Sequence, residues 1–235
     1  MTAGIPSPFP VIDAPRAPLF RRIFATALLA GLIAGLFAAG AQRVKLVPLI
    51  EQAEIYEAAG HDHDGAAWEP SPGLERMAYT VLADVLTGIG FALILTGAIA
   101  VAGLAGHAVD ARRGLLWGAA GFAAFTLAPS LGLPPLPPGA EAAELAARQT
   151  WWVAAALATA VGLGLIVFWR PFIVKAAGAA ILLLPHLIGA PHAEHPGGTV
   201  PGDIAAQFAI ASIATAALFW LLLGAVTGWL FRRLG

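Results

Sequence analysis

Apolar stretches of about 20 residues recur along the whole chain, the length an α-helix needs to cross the hydrocarbon core of a bilayer. This recurrence constrains the fold more than any motif. In lipid, every backbone polar group must be satisfied within the segment, so repeated spans of this kind are helices. Composition agrees. Of 235 residues, 59% are hydrophobic and only 11% are charged, where a soluble domain carries about 25% charged residues. Mean hydropathy is +0.79. The expected fold is all-α, a polytopic transmembrane helix bundle.

Six spans can be drawn, at 20–42, 77–106, 114–133, 150–169, 172–190 and 204–231. The fifth contains Lys175, Pro185 and His186, and a five-span reading treats it as partly buried or re-entrant. The positive-inside rule favours six spans with both termini in the cytoplasm. That arrangement puts Arg16, Arg21, Arg22, Arg112, Arg113, Arg170, Lys175, Arg232 and Arg233 inside, and leaves only Arg43, Lys45, Arg76 and Arg148 outside. Trp151 and Trp152 then fall at the outer interface, and Trp117, Trp169 and Trp229 near the inner one, as amphipathic indole rings prefer. Residues 1–18 are Pro-rich and read as a disordered tail, with no signal-peptide cleavage pattern. Residues 19–235 read as one transmembrane domain in the inner (plasma) membrane.

Acidic residues contribute little to topology, yet they are as asymmetric as the basic ones. Glu51, Glu54, Glu57, Asp62, Asp64, Glu69, Glu75, Glu141, Glu144, Glu194 and Asp203 all fall on the outer side. Five of the six His join them there. An acidic, His-bearing rim attracts divalent cations. Cysteine is absent, so disulfides and thiolate metal sites are excluded. The net charge of −1 gives no indication of nucleic acid as a partner.

Two segments concentrate metal-compatible side chains. "HDHD" supplies His61, Asp62, His63 and Asp64 in consecutive positions. Imidazole and carboxylate suit Co²⁺, Ni²⁺ or Zn²⁺ better than Cu⁺, which prefers sulfur; a solvated polar loop is the plain alternative. "LLLPHLIGAPHAEHPGG" supplies His186, His192, Glu194 and His195, with Pro and Gly interrupting the helix near a membrane face. A packing role for His186 is as natural as a ligand role. Asp84, in "YTVLADVLTGIGFALIL", is the carboxylate set well inside a span, and an intramembrane acid marks a functional position by default. Thr80 and Thr87 lie one turn on either side of it. The alternative is an interfacial acid paired with Arg76 or Arg148. Arg148 and Gln149, in "RQTWW", open the fourth span and are candidates for a pathway. "GLIAG", "GLLWG" and "GAVTG" place small residues one turn apart, a spacing that lets helices approach closely and is also compatible with an oligomer. There is no P-loop, no H-E-x-x-H and no G-x-S-x-G.

"LFRRIFATALLAGLIAGL", "LVPLIEQAEIYE", the H-x-H loop, "GLERMAYTVLADVLTGIGFALIL", "GLLWGAAGFAAFTLAPSLGLPP", "ARQTWW" and "LLLPHLIGAPH" together resemble the CbtA family of proposed cobalt transporter subunits, over residues 19–235. The resemblance implies cobalt uptake linked to cobalamin biosynthesis, and a small CbtB-like partner with one span and a His-bearing tail. It carries His61, His63, His186, Arg148 and Gln149 over as functional positions. The chain departs from the family's pattern at Leu136, where an acidic residue often follows the Pro pair.

The leading expectation is therefore an importer of a divalent transition metal, cobalt first, with nickel and zinc fitting the same ligand types, and not an enzyme. His61, His63, Asp62, Asp64, His186, His192 and His195 would capture the ion outside, and Asp84, Gln149 and Arg148 would line its path. A sensor without translocation, or a membrane metalloenzyme, would use the same residues. A transporter should hold a polar route past Asp84, a sensor a dry bundle beneath the rim.

Overall fold

The computed structural model describes residues 18–58, 70–107, 109–193 and 198–235. Among these the chain is helical, with one isolated bridge between Ala140 and Gly198. The helices are α1 (Leu19–Lys45), α2 (Val47–Ala58), α3 (Leu74–Leu104), α4 (Ala111–Gly132), α5 (Leu145–Phe168), α6 (Phe172–Ile188) and α7 (Gly202–Arg233).

Five of them, α1, α3, α4, α5 and α7, are long and apolar enough to cross a membrane. Of the six expected spans, the fifth, α6, is the short one. Its 17 residues rise about 26 Å, just short of the roughly 30 Å hydrocarbon core. Pro171 precedes it, and Gly189, at φ +91°, ends it in a backbone conformation that favours glycine. The chain still turns back at α6: α5 and α6 form an antiparallel pair, and a Cβ on Gly162 would lie 2.6 Å from the Gly178 carbonyl. Helix α2 was not expected from the sequence. It has Pro48 in its first turn, where a missing N–H costs nothing, and it packs on α1 and α7.

Glycine contacts hold the bundle together. A Cβ on Gly35 of α1 would sit 2.6 Å from Val85 Cα and 2.7 Å from the Asp84 carbonyl of α3. Gly31 meets Ile89 and Gly88 in the same way. On the other side, a Cβ on Gly224 of α7 would sit 2.6 Å from Gly118 Cα of α4, and Gly114 meets the Gly224 carbonyl. In lipid, where hydrophobic burial does not drive helices together, such approaches maximise dispersion contact. Around them lies a core of Ala27, Ala30, Ala34, Leu95, Ile99 and Leu223.

Charge separates between the two ends of the bundle. At one end, Arg22 of α1 donates from Nε to the Phe231 carbonyl at 2.6 Å, and its guanidinium lies 3.7 Å from the Phe231 ring centroid. The two ends of the described chain therefore meet there, beside Arg21, Arg232 and Arg233. The opposite end carries α2, the start of α3, the Pro-rich 133–139 stretch and the start of α5, with Glu51, Glu54, Glu57, Glu75, Glu141 and Glu144. Not every aromatic follows the interfacial expectation. Trp169 and Trp229 are exposed near the basic end, but Trp151 is buried and its Nε1–H donates to the Pro185 carbonyl at 3.2 Å.

Crowding the α4–α7 contact should destabilise the protein. Gly118→Ala would push its methyl into the Trp220 carbonyl and is expected to cost about 1–3 kcal/mol. Gly97→Ala, with no atom within 4 Å of the new carbon, should be neutral or slightly stabilising. Thermal unfolding of the two purified variants in one detergent checks the difference.

Candidate functional site

Asp84 lies ten residues into α3, about 15 Å along the helix from its start. Its Oδ1 accepts a hydrogen bond from Gln42 Nε2 at 2.9 Å. Its Oδ2 is buried without a hydrogen-bond partner. The close packing of Gly35 on Val85 and the Asp84 carbonyl brings the two helices near enough for this pairing. Neither arginine suggested by the sequence neutralises the acid. Arg76 forks onto Glu54, and among the described residues no ion pair to Arg148 is present.

Around this pair is a cavity of about 330 Å³ between α1, α2, α3, α4 and α7. Gln42, Asp84, Thr87, Thr126, Ser212 and Thr215 supply its polar wall. Leu46, Ile50 and Phe208 line it toward the acidic end, and Phe91, Phe219 and Trp220 close it toward the basic end. The aromatic floor is tightly built. Trp220 stacks on Phe125 at 5.6 Å with 13° between planes, and Phe91 lies 4.8 Å from Trp220. Below that floor the apolar core continues through Leu95, Ile99 and Leu223.

Thr126 reaches the wall through a local irregularity. Residues Ala123–Leu127 form a π-helical turn within α4. Pro129 follows, buried and in helical conformation. It has no N–H to give the Phe125 carbonyl, and its ring would clash with that carbonyl in a regular α-helix. A widened turn relieves the clash, and such turns occur often at functional sites. The "FTLAP" stretch and the i, i+3 pair Ser212 and Thr215 were the available signals for these residues, and the sequence reading missed both, together with Gln42.

The predicted His ligands are placed very differently. His61, Asp62, His63, Asp64 and His195 lie outside the described residues. His186, in the last turn of α6, packs edge-on against Trp151 at 5.7 Å, with Nε2 buried and unpartnered. His192 is exposed on a shallow cavity of about 460 Å³ that also touches Glu141 and Glu144. Among the described residues no three His, Asp or Glu side chains come together as a metal group. Arg148 and Gln149 are not part of the Asp84 cavity wall, because α5 packs on α4 and α6 rather than on α1 or α3. Thr80 donates to the Arg76 carbonyl at 2.9 Å, so of the two flanking threonines only Thr87 reaches the cavity.

Two carboxylates at helix starts are engaged in capping. Glu144 accepts from the Ala146 and Ala147 amides at 2.9 and 2.8 Å, and Asp110 accepts from the Arg113 amide at 2.9 Å. These bonds hold both carboxyls below the usual carboxylate range. Glu144 is therefore already engaged and is a poor metal ligand.

The described helices form a multi-pass membrane bundle with an acid-bearing cavity between them. A family profile described as "Probable cobalt transporter subunit (CbtA)" matches residues 20–232, and the chain belongs to that family. No curated protein and no solved structure matches it.

Because the Glu144 carboxyl titrates below its unfolded value, its cap contributes above the unfolded pKa and is lost as pH falls through the lower, folded one. Glu144→Ala should speed amide exchange at Ala146 and Ala147 at neutral pH. In the wild type, protection of these amides relative to their intrinsic exchange rate should persist through mild acid and be lost only below the ordinary carboxylate range.

Proposed function

We propose that this chain is the permeation subunit of a divalent cobalt importer, and that the ion passes through the cavity at Asp84. The observation that carries this reading is the cavity itself. A carboxylate with one oxygen buried and unpartnered stands in a wall of hydroxyl and carboxamide groups inside an otherwise apolar bundle. Burying an acid in a span is costly and is tolerated where it faces a partner or a polar path. A protein that only sensed metal at its rim would have no use for such a wall beneath it.

The acidic end of the bundle would concentrate cations around the loop that carries His61, His63, Asp62 and Asp64, and around the second His-bearing segment with His192 and His195. The positive-inside rule assigns that end to the extracytoplasmic side. A membrane potential of 100 mV acts on a divalent ion with about 4.6 kcal/mol, enough to drive entry without nucleotide hydrolysis in this chain. On this route the aromatic floor closes the cavity toward the basic end, so Phe91 and Trp220 must separate for ions to pass. The word subunit in the family's description supports a partner chain, and a small single-span, His-bearing protein is the expected one.

The decisive measurement is radiocobalt uptake by cells producing the chain together with its partner. Asp84→Asn keeps the shape and removes the charge, and should lower uptake by about tenfold or more; a wild-type rate in that variant would sink the proposal. Uptake should also fall as external pH drops below about 6, because imidazole must be neutral to bind metal. His61→Ala/His63→Ala should remove this pH dependence together with most of the uptake at low cobalt.

A further inference from the structure

The chemistry of the Asp84 cavity also determines the form in which an ion can occupy it. An ion stripped of water needs four to six ligand atoms arranged around it, and the dehydration energy must be recovered from them. The cavity holds one carboxylate, one carboxamide and four hydroxyl side chains. Among the described residues its lining has no imidazole and no second acid, and no metal group of three His or carboxylate side chains is present. One of the Asp84 oxygens is already accepting from Gln42. Neutral hydroxyl and carboxamide oxygens with a single carboxylate among them are weak inner-sphere ligands for a transition-metal ion, and such a wall repays little of its dehydration energy.

It suits an ion that keeps its water. A water occupies about 30 Å³ in the liquid, so six occupy about 180 Å³; the cavity measures about 330 Å³. The ligand waters of a hexaaqua cation present only donor hydrogens on the outside. The cavity wall presents acceptors: the Asp84 carboxylate, the Gln42 amide oxygen, and the hydroxyl oxygens of Thr87, Thr126, Ser212 and Thr215. A helical Thr or Ser can spend its own proton on the carbonyl one turn back, as Thr96 does toward Ala92 at 2.6 Å, which leaves its oxygen free to accept.

We propose that the Asp84 cavity is an outer-sphere site, which binds a divalent cation as its hexaaqua complex through hydrogen bonds from the bound waters. This rests on the reading of the cavity as the ion's route. It locates selection among transition metals elsewhere, since aqua complexes of similar size are nearly indistinguishable to such a wall.

Cobalt(III) hexaammine tests it. That complex has the shape of a hexaaqua ion, presents N–H donors all round, and exchanges its ligands too slowly to bind any side chain directly. Titration of the purified full-length chain in detergent should show saturable binding of cobalt(III) hexaammine that Co²⁺ displaces. Asp84→Asn should weaken it by about tenfold or more, and Ser212→Ala/Thr215→Val by a smaller factor, in protein that keeps the wild-type melting temperature within a few degrees. Should Asp84→Asn be misfolded, Co²⁺ displacement in the wild type and the Ser212/Thr215 variant still decide the matter. Absence of saturable binding, or binding equal in wild type and variants, would overturn the outer-sphere site. If hexaammine fails to bind while Asp84→Asn still abolishes cobalt uptake, the route stands and the ion enters it dehydrated. If Asp84→Asn transports normally, the route itself is wrong.

Discussion

The arrangement depends on bare backbone meeting bare backbone. Gly31 and Gly35 let α1 lie against α3, and Gly114 and Gly118 let α4 lie against Gly224 and Gly228 of α7. A side chain at any of these positions would run into the backbone of the facing helix and push the pair apart. The Gln42–Asp84 hydrogen bond exists because α1 and α3 approach so closely just below it. The aromatic floor has the same origin: Gly121 leaves room for the Trp220 ring, which then stacks on Phe125. Packing in lipid and the position of the polar cavity are thus one structural fact.

The bundle is asymmetric along its length. Toward the acidic end it is loosely closed by α2 and holds a polar space; toward the basic end it is dry, aromatic and aliphatic, and stitched by Arg22 to the end of α7. The π turn in α4 stands at that transition, with Thr126 on the polar wall and Phe125 in the floor.

Much of this was legible in the residues, and the reasons differ from place to place. The spans followed from hydropathy, and the glycine pairs from their one-turn spacing, because both are local periodicities. Asp84 stood out because an acid in a span needs a reason. Gln42 did not, because a neutral amide near a helix end is unremarkable until its partner is known. Ser212, Thr215 and Thr126 were invisible for the same reason: hydroxyls are common in apolar helices, and only the packing of α7 and α4 decides which face a cavity. Trp151 was assigned to the interface from its chemistry, but the Pro185 carbonyl, which also accepts from the Gly189 amide, offered its N–H a buried acceptor.

The sequence by itself determined the class of fold, the charge polarity between the two ends and the membership of the family, because these are properties of composition, period and order along one chain. Only the tertiary structure decided that Asp84 pairs with Gln42, that Arg148 and Gln149 stand apart from it, and that His186 packs against an indole instead of joining a cluster of His ligands. Those outcomes depend on which helix faces touch. That choice is made by small differences in packing between surfaces that look alike in sequence, so it cannot be read one helix at a time.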